Sequence, residues 1–288
     1  MDGHILSYHP GIVAQENLLL VSQRALGPAD RRAVEGAAAV ILPQACRADL
    51  WWLVSCLGKS HFPRPAVHLT LDGKVGNHRL FSRLGLPQPR ALEFPGLDQA
   101  GEAWRQGALK AAGMRPPVVV KGAGGGEGRN VFLAGGLREL KGLAGRLETA
   151  CRQGPAGLLV QELVPNGGRD LRVVLVGEQA LAYWRLGQEG EFRCNLSQGG
   201  QVERGLWPED MARGVALAKK LQERAGLDLA GVDVLVPPGG DPLLLEINFY
   251  FGRQALGGLA SLRRLLLQAL RRWLQGLGLD PKAARAAR

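Results

Sequence analysis

Short apolar runs alternate with amphipathic stretches through the first 70 residues. Residues 4–7 and 18–21 read as strands, and Pro28-Ala29-Asp30 opens a helix that runs to about Ala37. Residues 40–42 form a further buried strand, and residues 47–57 are helical, with Trp51 and Trp52 in the core or at an interface. This alternation predicts a small parallel α/β layer. A helix over 74–84 follows, stopped by Gly85 ahead of Pro87 and Pro89.

Beyond Pro89 the pattern predicts a helix, a tight hairpin at residues 118–133 and a second helix over 137–152. The chain then turns mainly antiparallel. Residues 158–160 are one strand, and 171–176 with 180–184 form a hairpin about Gly177. A strand is expected at 191–196 and a helix at 208–225, ending at Gly226. Strands at 232–236 and 243–247 follow, and no internal repeat is visible.

At 288 residues and 46% hydrophobic, the chain can bury a sizeable core in one to three domains. No apolar run approaches the roughly 20 residues that span a bilayer, and the N-terminus lacks a secretory pattern. Four cysteines (Cys46, Cys56, Cys151, Cys194) stand apart with no C-x-x-C pair. Free thiols in a reducing cytoplasm are therefore expected, not a disulfide frame or a zinc site. The net charge is +10. Residues 261–288 hold seven basic residues against Asp280, a net of +6, which suits a helix C-terminus and a solvated face. A basic groove interleaved with aromatics is not apparent, so nucleic acid is not favoured as a partner.

The candidate chemistry begins where the strand Val118-Val119-Val120-Lys121 runs into Gly122-Ala123-Gly124-Gly125-Gly126-Glu127-Gly128-Arg129-Asn130. The lysine precedes the glycines, which join two strands, unlike a Walker loop or a kinase glycine loop. Glycines let backbone N–H groups approach a triphosphate closely while the lysine adds fixed charge. By itself the segment reads equally well as a flexible turn.

A second constellation flanks Pro237-Pro238-Gly239-Gly240-Asp241-Pro242. With Gly239-Gly240 as a two-residue turn, Asp233 falls opposite Glu246, and Asn248 shares the face by period two. Two opposed carboxylates among aliphatic neighbours repel unless a positive charge intervenes, and Mg²⁺ takes such oxygens readily. The alternative is a solvent-facing polar stripe, but neither strand has other polar residues on that face.

Lys74, Lys121 with its glycine loop, Gln161-Glu162-Leu163-Val164, Arg169-Asp170-Leu171-Arg172, Phe192-Arg193-Cys194-Asn195 and Glu246-Ile247-Asn248 occur in an order that resembles ATP-grasp enzymes. Among them the chain is most similar to RimK-like carboxylate–amine ligases, a group containing ribosomal-protein glutamate ligases and, more distantly, glutathione synthetases. The run Arg193-Cys194-Asn195-Leu196-Ser197-Gln198-Gly199-Gly200 is especially close, and the likeness covers about residues 71–253. It implies a mixed α/β (α+β) ATP-grasp fold with an N-terminal pre-ATP-grasp α/β domain over 1–88. A lid subdomain with the glycine loop would span 89–160, and a C-terminal subdomain with the metal site and basic helical tail 161–288.

The resemblance also implies roles. Lys74 and Lys121 would contact the phosphates of ATP beneath Gly124, Gly125, Gly126 and Gly128. Glu162 and Leu163 would read the adenine edge through their backbone, with Asp170 near the nucleotide. Asp233, Glu246 and Asn248 would hold Mg²⁺, with Mn²⁺ as an alternative. Arg193 and Asn195 would face the γ-phosphate and reacting carboxylate, and Arg172, less securely Arg185, would face substrate. The implied reaction is ATP-driven amide formation between a carboxylate and an amine through an acyl phosphate, in the cytoplasm, with a homo-oligomer left open. Rival readings are an ATP-grasp phosphotransferase and a non-catalytic ATP-binding module.

Two readings stay local. Asp170 and Arg172, two apart on one strand, could simply pair with each other; Cys194 alternates with Arg193 and Asn195 and packs inward. After Asn248 the sequence departs from the ligase pattern with Phe249-Tyr250-Phe251-Gly252-Arg253. These aromatics either reshape an acceptor pocket or pack the C-terminal helix.

Overall fold

The computed structural model describes residues 3–20, 24–123, 130–151, 157–188, 194 and 199–287. The chain opens with β1 (Ile5–Ser7), β2 (Ile12–Val13), β3 (Glu16–Asn17), α1 (Pro28–Gly36), β4 (Ala39–Ile41), α2 (Ala48–Cys56) and β5 (Ser60–Phe62). Strands in the order β3-β1-β4-β5 make the expected parallel sheet. The strand expected at 18–21 is displaced to Glu16–Asn17, while residues 18–20 run on outside any ladder. Leu18 N–H reaches Ser7 C=O at 2.9 Å, where β1 ends, so no further ladder partner exists. Leu18 and Leu20 instead cover the core formed by Leu6, Val34, Val40 and Leu50. Trp51 packs against that core, whereas Trp52 is 60% exposed.

Helices α3 (Ala66–Leu71) and α4 (Gly73–Arg83) lead into β6 (Ala91–Phe94), α5 (Leu97–Arg105), α6 (Ala108–Ala111), β7 (Val118–Gly122), β8 (Val131–Ala134), α7 (Leu137–Gly142), α8 (Ala144–Cys151) and β9 (Leu158–Glu162). An antiparallel sheet of order β6-β9-β7-β8 results. The helix expected over 137–152 is broken after Gly142, where Leu143 N–H bonds to Leu140 C=O at 3.1 Å. Strand β6, which the apolar pattern does not mark, lies along β9 with Glu93 opposite Leu159.

The remaining elements are β10 (Arg169–Val176), β11 (Gln179–Leu186), β12 (Gln201–Glu203), α9 (Pro208–Ala225), β13 (Leu229–Leu235), β14 (Leu243–Asn248), α10 (Gly258–Gly276) and β15 (Arg285–Ala286). Helix α9 starts at its proline and ends at Gly226 in the left-handed region, as the pattern predicts. The antiparallel sheet order is β12-β11-β10-β13-β14. Every residue of β10 is buried because both its faces are covered. Leu171, Val173 and Leu175 pack toward α9, and Val174 and Val176 pack toward Leu262, Leu266 and Leu270 of α10. The strand expected at 191–196 lies outside the described residues apart from Cys194.

The basic tail does more than present a solvated face. Strand β15 pairs with β2, and Ala287 N–H bonds to Gly11 C=O at 3.1 Å, fastening the C-terminal end onto the N-terminal layer. Among the described residues no helix is long and apolar enough to cross a membrane.

The β10–β11 turn tests this packing. Gly177 has φ 56°, as the first turn position of a type II′ hairpin requires, and a Cβ there would lie 2.6 Å from Cβ of Ala269 on α10. Gly177→Ala should destabilise by about 1–3 kcal/mol through strain and overpacking. A denaturant midpoint lowered at unchanged slope is the expected result.

Candidate active site

Between the β6-β9-β7-β8 sheet and the five-stranded sheet lies a cleft in which buried lysines and carboxylates face one another. Lys121 comes from the end of β7 and Lys74 from the first turn of α4. Asp170, Asp233 and Glu246 face them from β10, β13 and β14. Both lysines are buried, at 7% and 5% exposure.

Two contacts bring Lys74 there. Gly73 adopts φ 77°, and a Cβ on it would lie 2.8 Å from the carbonyl of Ala123, so only glycine lets α4 begin against the end of β7. Asn77, fully buried one turn on, accepts the N–H of Ile247 at 2.6 Å and donates to the Leu71 carbonyl at 3.1 Å. That bridge joins α4 to the residue between Glu246 and Asn248. Burial pushes the Lys121 ammonium down to about 8, against the opposing pull of Glu246, and Lys74 adds repulsion.

Across the five-stranded sheet runs a row of directly opposed residues, Tyr183–Arg172–Asp233–Glu246. The Arg172 guanidinium grips Asp233 with both arms: Nε donates to Oδ1, and Nη2 to Oδ2 at 2.9 Å. Arg185 reaches the same Oδ2 at 3.0 Å and binds Asp170 at 2.6 and 2.8 Å. The Asn248 amide donates to Asp233 Oδ2 at 3.2 Å. Burial works to raise the Asp233 pKa, but Arg172 and Arg185 outweigh it and hold the carboxyl below its ordinary range. For Asp170 burial prevails over Arg185, and the nearby Asp233 charge adds to the upward shift. Two guanidiniums and two carboxylates thus form one buried, nearly neutral cluster.

This pairing differs from the local one considered for Asp170 and Arg172. Neighbours two apart on a strand point the same way but do not meet as closely as cross-strand partners. Arg172, expected to face substrate, is turned to Asp233, and a substrate role would require that pair to loosen. Gly231 makes room for it, since a Cβ there would lie 3.2 Å from Arg172 Cδ.

Asp233 and Glu246 are opposed as expected, with Gly231 opposite Asn248, but by a different route. Gly240 N–H bonds to Pro237 C=O at 3.0 Å and Gly239 has φ 68°, so the turn is the four-residue Pro237–Gly240. Val234 therefore pairs with Leu244, one position out of step, and a bulge at Leu245 restores the register at Glu246. The bulge also brings Leu245 and Glu246 together to the cleft wall.

The other candidates are distributed as follows. Glu162 and Leu163 line the cleft where β9 ends, with the Glu162 carboxylate held by Arg90 Nε at 2.8 Å and the Arg90 N–H at 2.7 Å. Cys194 is buried, its thiol pushed up to about 11 by burial, and it accepts from Asn166 Nδ2 at 3.6 Å. A thiol so protonated is no nucleophile at neutral pH. Gly124, Gly125, Gly126, Gly128, Arg193 and Asn195 lie outside the described residues. Asn166 and Leu245, which no motif marks, also line the cleft, and Arg185 is central to it. The Arg185 signal was available: a two-residue turn at Gly177-Glu178 places it opposite Asp170.

Glu246 and the Asn248 amide oxygen are donors of the kind that suits Mg²⁺, while Asp233 would have to share oxygens that already accept from Arg172, Arg185 and Asn248. Among the described residues no three His, Cys, Asp or Glu side chains converge as a metal cage. A magnesium ion carried largely by phosphate oxygens does not need one.

The family described as RimK-like ATP-grasp domain matches residues 74–257. A relative from Picosynechococcus sp., named probable alpha-L-glutamate ligase, is 41% identical over 135 residues, 46% of this chain and 42% of that protein. Another of that name, from Haemophilus influenzae strain PittEE, is 30% identical over 195 residues, 67% of this chain and 59% of that one. The chain spans about half the length of the curated relatives it matches. A solved RimK domain ATP-grasp protein from Sphaerobacter thermophilus superposes with a TM-score of 0.61 at 20% identity, covering 92% of this chain and 98% of that one. The likeness to that protein is one of fold.

The buried charges make two predictions. Asp233→Asn should cost about 3–5 kcal/mol, because two buried guanidiniums lose their shared anion; thermal or denaturant melting measures it. Lys121 is protonated in both folded and unfolded chains below pH 8, so its burial penalty is complete there. The penalty, about 3 kcal/mol, is relieved as pH rises from about 8 towards 10.5. Lys121→Met should therefore be the more stable protein at pH 7, with the gap narrowing over that interval; a gap independent of pH would contradict the assignment.

Proposed function

We propose, on the premise that this chain belongs to the RimK-like ATP-grasp domain family, that it is an ATP-dependent carboxylate–amine ligase whose carboxylate substrate is L-glutamate or a close analogue. The observation that carries the reading is the meeting of Lys74 and Lys121 with Asp233 and Glu246 across one cleft. A nucleotide triphosphate with its counter-cation suits such a cleft, its phosphates matching the lysines and its cation the acidic strand pair. The relatives' names, probable alpha-L-glutamate ligase, support glutamate as the acid.

In this reading the two lysines bind phosphate oxygens and offset the charge that develops on them. Gly124, Gly125, Gly126 and Gly128 would close over the phosphates and keep water from the reacting groups. Backbone groups of Glu162 and Leu163 would take the adenine edge, with Asp170 nearby. A substrate carboxylate oxygen attacks the γ-phosphorus, ADP departs, and the amine then displaces phosphate from the acyl phosphate to give the amide. Arg193 and Asn195 would steady the oxyanion of that second step, and Arg172 would meet substrate. Asp233, Glu246 and Asn248 would hold Mg²⁺ or Mn²⁺, which when bound supplies Lewis-acid charge at the phosphates. No step requires a side-chain nucleophile.

Full chain incubated with ATP, Mg²⁺ and a panel of amino acids and short peptides should release ADP, with an amide product visible by mass spectrometry. Glu246→Ala should lower turnover by at least about a hundredfold; full turnover would defeat the metal assignment. Lys121→Met should weaken ATP binding at least about tenfold. ADP without an amide would favour phosphotransfer instead.

A further inference from the structure

A second cavity, of about 400 Å³, opens where the loops after β1 and β4, the chain after β14 and helix α10 meet. Its charge is of one sign. Arg253 comes from the segment after β14 and Arg263 from α10, with His9, Gln44 and Tyr250 beside them. No lining residue is acidic, and among the described residues neither arginine has a carboxylate partner. That sets them apart from Arg172 and Arg185, whose charges are already answered within the sheet.

The wall is built, not incidental. His9 and Arg263 flank Gly11, where an added Cβ would lie 3.4 Å from His9 Cε1 and 3.6 Å from Arg263 Nε. His9 Nδ1 accepts the Gly11 N–H at 2.9 Å, leaving its Nε2 to carry the proton. Burial, with Arg263 beside it, holds the ring pKa down to about 4, so the imidazole is a neutral donor at pH 7. The aromatic departure from the ligase pattern braces the other side. Phe249 stacks on His68 at 4.6 Å and its carbonyl accepts from Gln44 Nε2 at 2.7 Å. Phe251 is buried against α10, while Tyr250 stands 62% exposed at the mouth.

We infer that this cavity is a carboxylate subsite, in which Arg253 and Arg263 bind a non-reacting carboxylate of the acidic substrate and Tyr250 flanks its entry. The inference rests on the ligase reading for the identity of the ligand. Strand β14 carries Glu246 and Asn248 and ends two residues before Tyr250, so the chain passes directly from the proposed reacting centre to this cavity. Two guanidiniums lining one cavity suit a carboxylate, and a neutral amide in its place forfeits the charge-assisted bonds. The carboxylate could belong to a free amino acid or to the end of a peptide.

Calorimetry on the full chain, with a non-hydrolysable ATP analogue present, would titrate L-glutamate, L-glutamine, and the peptides Ala-Ala-Glu and Ala-Ala-Gln. At least one acid should bind about tenfold or more tightly than its amide counterpart. The tighter acid identifies the source of the carboxylate. Arg253→Gln, at an exposed position, should lose part of this preference, and the R253Q/R263Q pair nearly all of it, with affinity for the ATP analogue within about twofold of the unaltered chain. A preference that survives in the double variant, or is lacking in the unaltered chain, overturns the inference. The ligase reading fails separately, if the unaltered chain binds these acids but releases no ADP with any amine.

Discussion

Asp233 is the charge on which the rest of the cleft depends. It sits on a central strand pair, 3% exposed, and an isolated carboxylate there would be strongly disfavoured. Arg172 and Arg185 supply the compensation, and Asp170 in turn balances the second guanidinium. Two guanidiniums and two carboxyl groups are thereby kept inside the sheet, where the row of Arg172 and Asp233 also holds Tyr183 and Glu246. Such a cluster adds little net stability compared with an apolar core of the same volume. What it retains is a set of charged groups held in defined positions beside a cleft.

The cleft also depends on close backbone approach. Gly73 lets α4 begin against Ala123, and Asn77 ties the same helix to β14. Lys74, Lys121 and the carboxylate strands therefore converge through contacts that are mostly not ionic. Fastening of this sort places like-charged lysines near each other at the expense of stability, a familiar compromise at functional sites.

The ends of the chain matter to the far side of the molecule. Strand β15 lies along β2, and α10 packs between the large sheet and the N-terminal layer. The loop after β1 and the segment after β14 are thus held across a single cavity. In the Phe249-Tyr250-Phe251 run, Phe251 packs against α10, Phe249 packs into the core beside α9, and Tyr250 borders open space.

Much of this was legible from residue order alone, because local chemistry specified it. Helix α9 is bounded by Pro208 and Gly226, the β10–β11 hairpin turns at Gly177, and Glu246 lies opposite Asp233. The last agreement came by way of a bulge at Leu245, which no periodic pattern announces. The displaced strand at Glu16–Asn17 reflects where a neighbouring strand happens to stop, and on either side of the break after Gly142 the residues Leu140, Leu143 and Leu147 pack against β7 and β9.

The amino-acid order by itself determined which residues could carry chemistry, the elements that bear them and the family they resemble. Tertiary structure decided who neutralises whom. The pairing of Arg172 with Asp233 joins strands about 60 residues apart, and the meeting of Arg253, Arg263 and His9 joins three separate segments. Side-chain charge is written locally, but the partner that answers it is set by long-range strand order and burial, which no local period encodes.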